Sequence, residues 1–332
     1  GILAEIKAGV TAYGKATPTG FSWLDKALKG GLRPGRHIAI GGGEKSRKTT
    51  WARNIISSVL RRPQTGPNGD YQGYVANPDV SVCFLGFEND RHITTLDFSV
   101  MIAMEHMYDN YRKQLNKTFK GVRYHEWIDS ELIIDEVSNR TLGRLPSEIV
   151  ESVEYGMDIM ETLNLTVNDT TKKGGDLSTL TDMARVINFH NAAYRSKGQL
   201  LVVCTDYLTL IKVTGIDNPM IAQNEVVNWL TKTSPDLEAC MITLAQFNRS
   251  SVTSRLNGEE IDVMGTHGSS ELERGTQNYM DVAHPSPFLL NVRMRRSRRG
   301  AAGLNEMQSY YLHPSSGVIL GTKLESHFKI GE

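Results

Sequence analysis

The stretch Gly41–Thr50, GGGEKSRKTT, limits what this chain can fold into more than any other. It follows a short apolar run, His37–Ile40, that reads as a buried strand, and it precedes Trp51–Leu60, where Trp51, Ile55, Ile56, Val59 and Leu60 recur at helical spacing. Strand, glycine-rich turn and helix in that order make a phosphate cradle. Successive backbone N–H groups point inward, the helix N-terminus adds its positive end, and a lysine reaches the outer phosphates. The usual pattern is G-x-x-x-x-G-K-[ST]. Here Gly42 opens it and Lys48-Thr49 close it, but Arg47 stands where the second glycine belongs. A positive φ or a close backbone approach at that point disfavours a side chain. An arginine aimed into solvent or along a nucleotide is compatible with the turn. The competing reading is a basic surface turn.

Composition excludes several classes. With 332 residues there is ample length for one large or two smaller domains. Lys+Arg and Asp+Glu both total 37, so no overall field directs the chain to nucleic acid or to a membrane, and such contacts must come from local patches. Cys83, Cys204 and Cys240 each sit in or beside an apolar run, without metal-finger spacing, and read as buried reduced thiols of a cytoplasmic protein. No apolar run approaches the roughly 18 residues that cross a bilayer. Residues 1–15 lack the pattern of a secretory signal, and a start at Gly1 reads as a processed, tagged or excised piece.

Along the chain, 1–19 reads as an arm or linker, and 20–35 as a short amphipathic helix stopped by Gly30-Gly31 and Pro34. The segment 61–79 is rich in Gly, Pro, Asn and Gln and reads as an exposed loop. Val80–Phe87 is a compact apolar run ending on Glu88-Asn89-Asp90. The span of about 105–173 reads as a helical insertion, and Thr179–Ser196 as an amphipathic helix. The run QLLVVCTDYLTLI carries Asp206 at the end of a strand with both faces covered, where a carboxylate can hold Mg²⁺ opposite the Thr49 hydroxyl. Residues 212–223 read as a loop, 224–233 as a helix, and Ala239–Ala245 as a further buried strand ending on Gln246. The polar stretch 250–275, a strand at Phe288–Met294, the basic run RRSRRGAAG and a hairpin around Pro314–Gly317 complete the chain. The order predicts an α/β fold with a mostly parallel central sheet flanked by helices. The phosphate turn, Glu88, Asp206 and Gln246 all follow apolar strands and would face one crevice.

Several segments together resemble the RecA-like ATPase (motor) domain of the DnaB-type replicative helicases. GFSWLDKALKGGLRPGRHIAI is similar to that family's T-G-x-x-x-L-D-x-x-x-G-G-L-x-P-G segment, and CFLGFEND to its F-S-L-E-M strand. LLVVCTDYLTLI resembles I-V-I-D-Y-L-Q-L-I, ITLAQFNRSSVTSR resembles A-L-S-Q-L-N-R, and GSSELERG resembles S-D-L-R-E-S-G. RRSRRGAAG resembles K-Q-R-N-G-P-T-G. The resemblance covers about 20–104 and 176–320 and rests on six segments in the right order. It implies a P-loop NTPase of 20–332 that hydrolyses ATP with Mg²⁺. Gly42, Gly43, Glu44, Lys45, Ser46, Arg47, Lys48, Thr49 and Thr50 would hold the nucleotide, with Thr49 and Asp206 on the metal. Glu88 would polarise the attacking water and Gln246 would sense the γ-phosphate. Arg298 would be the arginine finger, and Arg296, as its companion, would touch the same nucleotide across a subunit boundary. Lys212, Arg249 and Arg255 would contact DNA from the loops after the second and third of these strands.

The implied protein is a homo-oligomer, a hexameric ring moving on single-stranded DNA, with primase or another replication protein as a partner. Its setting is the cytoplasm of a bacterial cell or a phage-infected host. Some phage recombinases of RecA type also carry a bulky residue at the place of Arg47, which fits a phage or virus-like origin. The alternatives are a RecA-type recombinase or other DNA-binding ATPase, and a P-loop binding module that hydrolyses nothing.

Overall fold

A computed structural model describes residues 15–68, 71–87, 90–169, 178–246, 275–297 and 307–322. The first half holds α1 (Ser22–Ala27), β1 (His37–Gly42), α2 (Lys48–Val59), β2 (Arg61–Thr65), β3 (Tyr71–Ala76), β4 (Val80–Gly86) and α3 (Arg91–Asn110). Next come the short β5 (Thr118–Phe119) and β6 (Val122–Arg123), α4 (Ser130–Ser138), α5 (Ser147–Thr162), β7 (Leu165–Asp169), α6 (Leu180–Arg195) and β8 (Leu200–Asp206). The remainder is α7 (Pro219–Leu237), β9 (Cys240–Gln246), β10 (Asn278–Ser286), β11 (Leu289–Ser297), β12 (Met307–Leu312) and β13 (Ile319–Thr322).

One nine-stranded sheet has the order β13-β12-β11-β10-β1-β9-β8-β4-β7. From β10 to β7 every pairing is parallel, and β11, β12 and β13 add on antiparallel. The apolar runs of the sequence become the central strands because both faces are covered. Alternate residues point to opposite sides. Ile38, Ile40, Val82, Phe84, Val202 and Cys204 pack with Trp51, Ile55 and Phe98 of α2 and α3. Ala39, Cys83, Leu85, Leu201 and Val203 pack with Met183, Ile187, Val226 and Leu230 of α6 and α7. Each buried side chain of this size contributes about 1.5–3 kcal/mol.

A third core joins α3 to α4 and α5 through Met104, Met107, Ile133, Ile149 and Val153. Helices α3 and α5 cross so closely that a Cβ on Gly156 would lie 2.3 Å from the Ser99 carbonyl oxygen. Only glycine fits there. Two ion pairs also anchor α3: Arg53 with Asp97, and Arg61 with Glu105 at 2.6 Å.

The structure departs from the sequence reading in four places. The stretch 61–79 is a hairpin of β2 and β3, in which Arg61 is buried and set over the Tyr74 ring. Its other strand residues lie open to solvent and so carry no apolar alternation. The span 105–173, expected to be helical, ends on β7, an edge strand whose LTVND sequence has little apolar content. Helix α7 starts at Pro219 because Asn218 caps it, accepting from the N–H groups of Met220 and Ile221. Strand β10, NYMDVAHPS, forms where the sequence pattern announces no strand. Among the described residues no helix is long and apolar enough to cross a membrane.

Two histidines are buried. His37 has Thr231 Oγ1 2.7 Å from Nδ1 and Thr243 Oγ1 3.0 Å from Nε2, and burial lowers its pKa to about 3. His313 Nε2 lies 3.0 Å from His125 Nδ1, and burial, with His125 beside it, lowers its pKa to about 3. The unfolded chain protonates both near pH 6.5. Their contribution is therefore complete above pH 6.5 and is lost as pH falls towards 3, by up to about 1.4 kcal/mol per pH unit for each. Urea melts at pH 7.5 and 5.0 should show a lower midpoint at pH 5.0, with the drop reduced in His37→Gln. An unchanged midpoint would contradict this.

Candidate functional site

Strand β1 ends at Gly42, and the chain turns through Gly43–Arg47 into the N-terminus of α2. A Cβ on Gly42 would lie 2.3 Å from Ser46 Oγ and 2.7 Å from the Val282 carbonyl oxygen, so the turn closes only over glycine. Arg47 sits at the helix N-cap with φ 65° and ψ 31°, in the left-handed region. The glycine-type conformation of the missing second glycine is thus kept, and an exposed arginine adopts it. For a non-glycine residue this costs roughly 1–2 kcal/mol. Since the side chain lies outward, it leaves the inner side of the turn to backbone N–H groups.

Lys48 Nζ reaches back into the turn, donating to the carbonyl oxygens of Gly43 at 2.8 Å and Gly42 at 3.3 Å. One residue on, Thr49 Oγ1 donates to Asp206 Oδ1 at 3.1 Å. That bond joins the phosphate turn to the end of β8, two strands away in the sheet. Strand pairing accounts for it: Gly42 is level with Gln246, and Gly86 is level with Asp206. The C-terminal ends of β1, β9, β8 and β4 therefore share one edge. Asp206 is 5% exposed and Gln246 is exposed. A hydroxyl and a carboxylate at hydrogen-bond distance, beside a lysine, are hard oxygen donors of the kind Mg²⁺ takes. Among the described residues no cluster of three or more His, Cys, Asp or Glu could hold another metal.

Sequence reasoning missed two groups at this edge. Asp169, at the end of β7 and level with Gly86, accepts from the Arg91 N–H at 2.7 Å and so fixes the start of α3, just after Glu88 in the chain. His284 of β10 lies close enough to the turn for Arg47 to act on it; burial first, and Arg47's charge second, lower its pKa. The short β7 and the unrecognised β10 hid both. Asp281, level with Gly41, accepts from Arg295 Nε at 2.5 Å.

Arg296 lies elsewhere. It is level with Tyr279, which is level with Ala39, so it stands two strands from β1 and towards the N-terminal edge of the parallel strands. Because β11 runs away from the phosphate turn, one chain does not bring Arg296 to its own Lys48. Lys212 is exposed beyond the end of β8, where its strand-like backbone bridges to Thr179. Glu88, Arg298, Arg249 and Arg255 lie outside the described residues.

Replacing Arg47 by glycine removes the left-handed strain without touching the turn. Arg47→Gly should raise the melting temperature by about 2 °C, from about 1 kcal/mol. A lowered melting temperature in a calorimetric scan would show that the arginine side chain holds the turn together.

No protein-family model matches the chain, and no curated protein is detectably similar to it in sequence. Solved structures are similar. The ATPase domain of a phage SPP1 protein superposes with a TM-score of 0.67 at 14% identity, covering 97% of this chain and 96% of that one. A DnaB-like replicative helicase, described with its interactions with primase, gives a TM-score of 0.67 at 15% identity. There 96% of this chain is covered and 64% of that one, so this chain spans about two thirds of its length. Together with the sheet order and the flanking helices, these likenesses give the chain the fold of the RecA-like ATPase domain of DnaB-type replicative helicases.

Proposed function

We propose that this chain is the ATP-hydrolysing motor of a replicative DNA helicase, assembled as a ring that moves on single-stranded DNA. The observation that carries this reading is the Thr49–Asp206 hydrogen bond, which brings phosphate turn and strand-end carboxylate into one site. Phosphoryl transfer needs positioning and charge stabilisation more than covalent help from the protein. The N–H groups of Gly43–Thr50 and the α2 N-terminus hold the phosphate chain. Lys48 exchanges its carbonyl partners for the outer phosphates. Glu88 orients the attacking water and accepts its proton, and Gln246, at the next strand end, meets the γ-phosphate. Thr49 and Asp206 would hold Mg²⁺, which when bound neutralises charge on the phosphate oxygens. Asp169 positions the Glu88 segment through its bond to the Arg91 N–H.

The position of Arg296 supports catalysis between subunits. Arg296 and Arg298 serve the nucleotide on a neighbouring copy, which makes oligomerisation a requirement for turnover. In other NTPases such an arginine is worth about 10³–10⁵ in rate. Lys212, Arg249 and Arg255 supply phosphate contacts to a strand in the channel, the strand's charge making that binding salt-dependent. In this reading the ring acts in the cytoplasm of a bacterial cell or a phage-infected host, with primase or another replication protein beside it.

The test is Mg²⁺-dependent ATP hydrolysis with and without oligothymidylate. The wild-type chain should be stimulated by the strand, and Lys48→Ala and Glu88→Gln should each lower turnover by about 100-fold or more. Electron micrographs of nucleotide-loaded protein should show closed rings. A correctly folded wild type without turnover would overturn the motor reading, and filaments would favour a recombinase.

A further inference from the structure

At the opposite edge of the sheet from the phosphate turn lies a cavity of about 180 Å³, between the loop after α1, the start of β10 and the end of β11. Lys29, Arg33 and Arg36 line it, and among the described residues no acidic side chain does. The amides on its wall are oriented to match. The His37 backbone N–H donates to Gln277 Oε1 at 2.5 Å, which occupies the oxygen and leaves Nε2 as the donor end of that side chain. Asn278 is 8% exposed, and its Oδ1 accepts from Ser297 Oγ at 2.9 Å, again leaving the amide nitrogen. Three cationic groups and two amide donors thus converge on one small space, an arrangement complementary to an oxyanion.

We propose that this cavity is a second anion site, separate from the phosphate turn, that takes a small phosphate: inorganic phosphate or the end of a phosphate monoester. The volume admits a phosphate with a few waters. A nucleic acid strand needs an open groove to track its backbone. The forks of Arg33 and Arg36 suit the planar pairs of oxygens that such a group presents, and Lys29, at the mouth, adds a mobile charge. The proposal is independent of the helicase reading, since it uses none of the residues assigned to hydrolysis.

The experiment titrates inorganic phosphate into Lys48→Ala protein, in which the turn is disabled, and follows binding by calorimetry and by ³¹P line broadening. Saturable binding should persist and weaken about tenfold on adding either Arg33→Gln or Arg36→Gln, the loss of one charge-assisted contact. Lys29→Gln, at an exposed position, serves as the variant least able to disturb folding and should weaken binding in the same direction. AMP competing with phosphate would identify a monoester ligand, and phosphate alone competing would identify the free ion. Absence of binding to Lys48→Ala protein, equal binding by all three folded variants, or displacement by oligothymidylate would each overturn the proposal.

Discussion

The site depends on one contact, the hydrogen bond from Thr49 to Asp206. It needs the first turn of α2 and the last residue of β8 in register, and both are set by the sheet rather than by the loops. Strand β9 separates β1 from β8, and all three run parallel, so their ends fall together. The driving force is burial. Each of these strands is apolar on both faces, and a one-residue slip would exchange the two sets of core contacts. The phosphate turn can then tolerate a residue as unsuited as Arg47, because Gly42 and the α2 N-terminus are held from below.

The two edges of the sheet differ in kind. The edge at the strand C-termini gathers Lys48, Thr49, Asp206, Asp169 and Gln246. The opposite edge carries Arg296 and the cavity lined by Lys29, Arg33 and Arg36. The antiparallel turnback at β10–β11 creates this polarity, since it returns the basic strand to the far side of the same sheet. A head-to-tail assembly that sets one copy's basic edge against the next copy's phosphate turn uses both edges without any conformational rearrangement of the strands. Such a contact is heterologous and closes into a ring when its rotation allows.

Much of this was legible in the sequence where physics leaves a strong mark. HIAI, VSVCFLG, LLVVC and CMITLA could be read as strands because covered strands are continuously apolar, and their C-terminal ends fall at one edge. The phosphate turn was legible from Gly42, Lys48 and Thr49, although the left-handed backbone at Arg47 could not be deduced from an arginine. Strand β10 was hidden because Asn278, Asp281, His284 and Pro285 interrupt its apolar positions. Asp281 is tolerated inside only through its pairing with Arg295, a contact between neighbouring strands that no local pattern announces. The β2–β3 hairpin failed for the opposite reason: exposed along most of its length, it has no buried face to imprint. Asp169 escaped notice since its role is to hold a backbone N–H far away in the chain.

The central claim, that a working site is completed by a second copy, is tested most directly by mixing two inactive variants. Lys48→Ala keeps the basic edge and loses the phosphate turn; a combined Arg296→Ala and Arg298→Ala variant keeps the turn and loses the basic edge. If the site is shared between copies, mixed assemblies contain some intact junctions, and ATP hydrolysis reappears in proportion to them. If mixing restores nothing although the two variants co-assemble, the arginines and the phosphate turn do not meet across a junction, and the account is wrong.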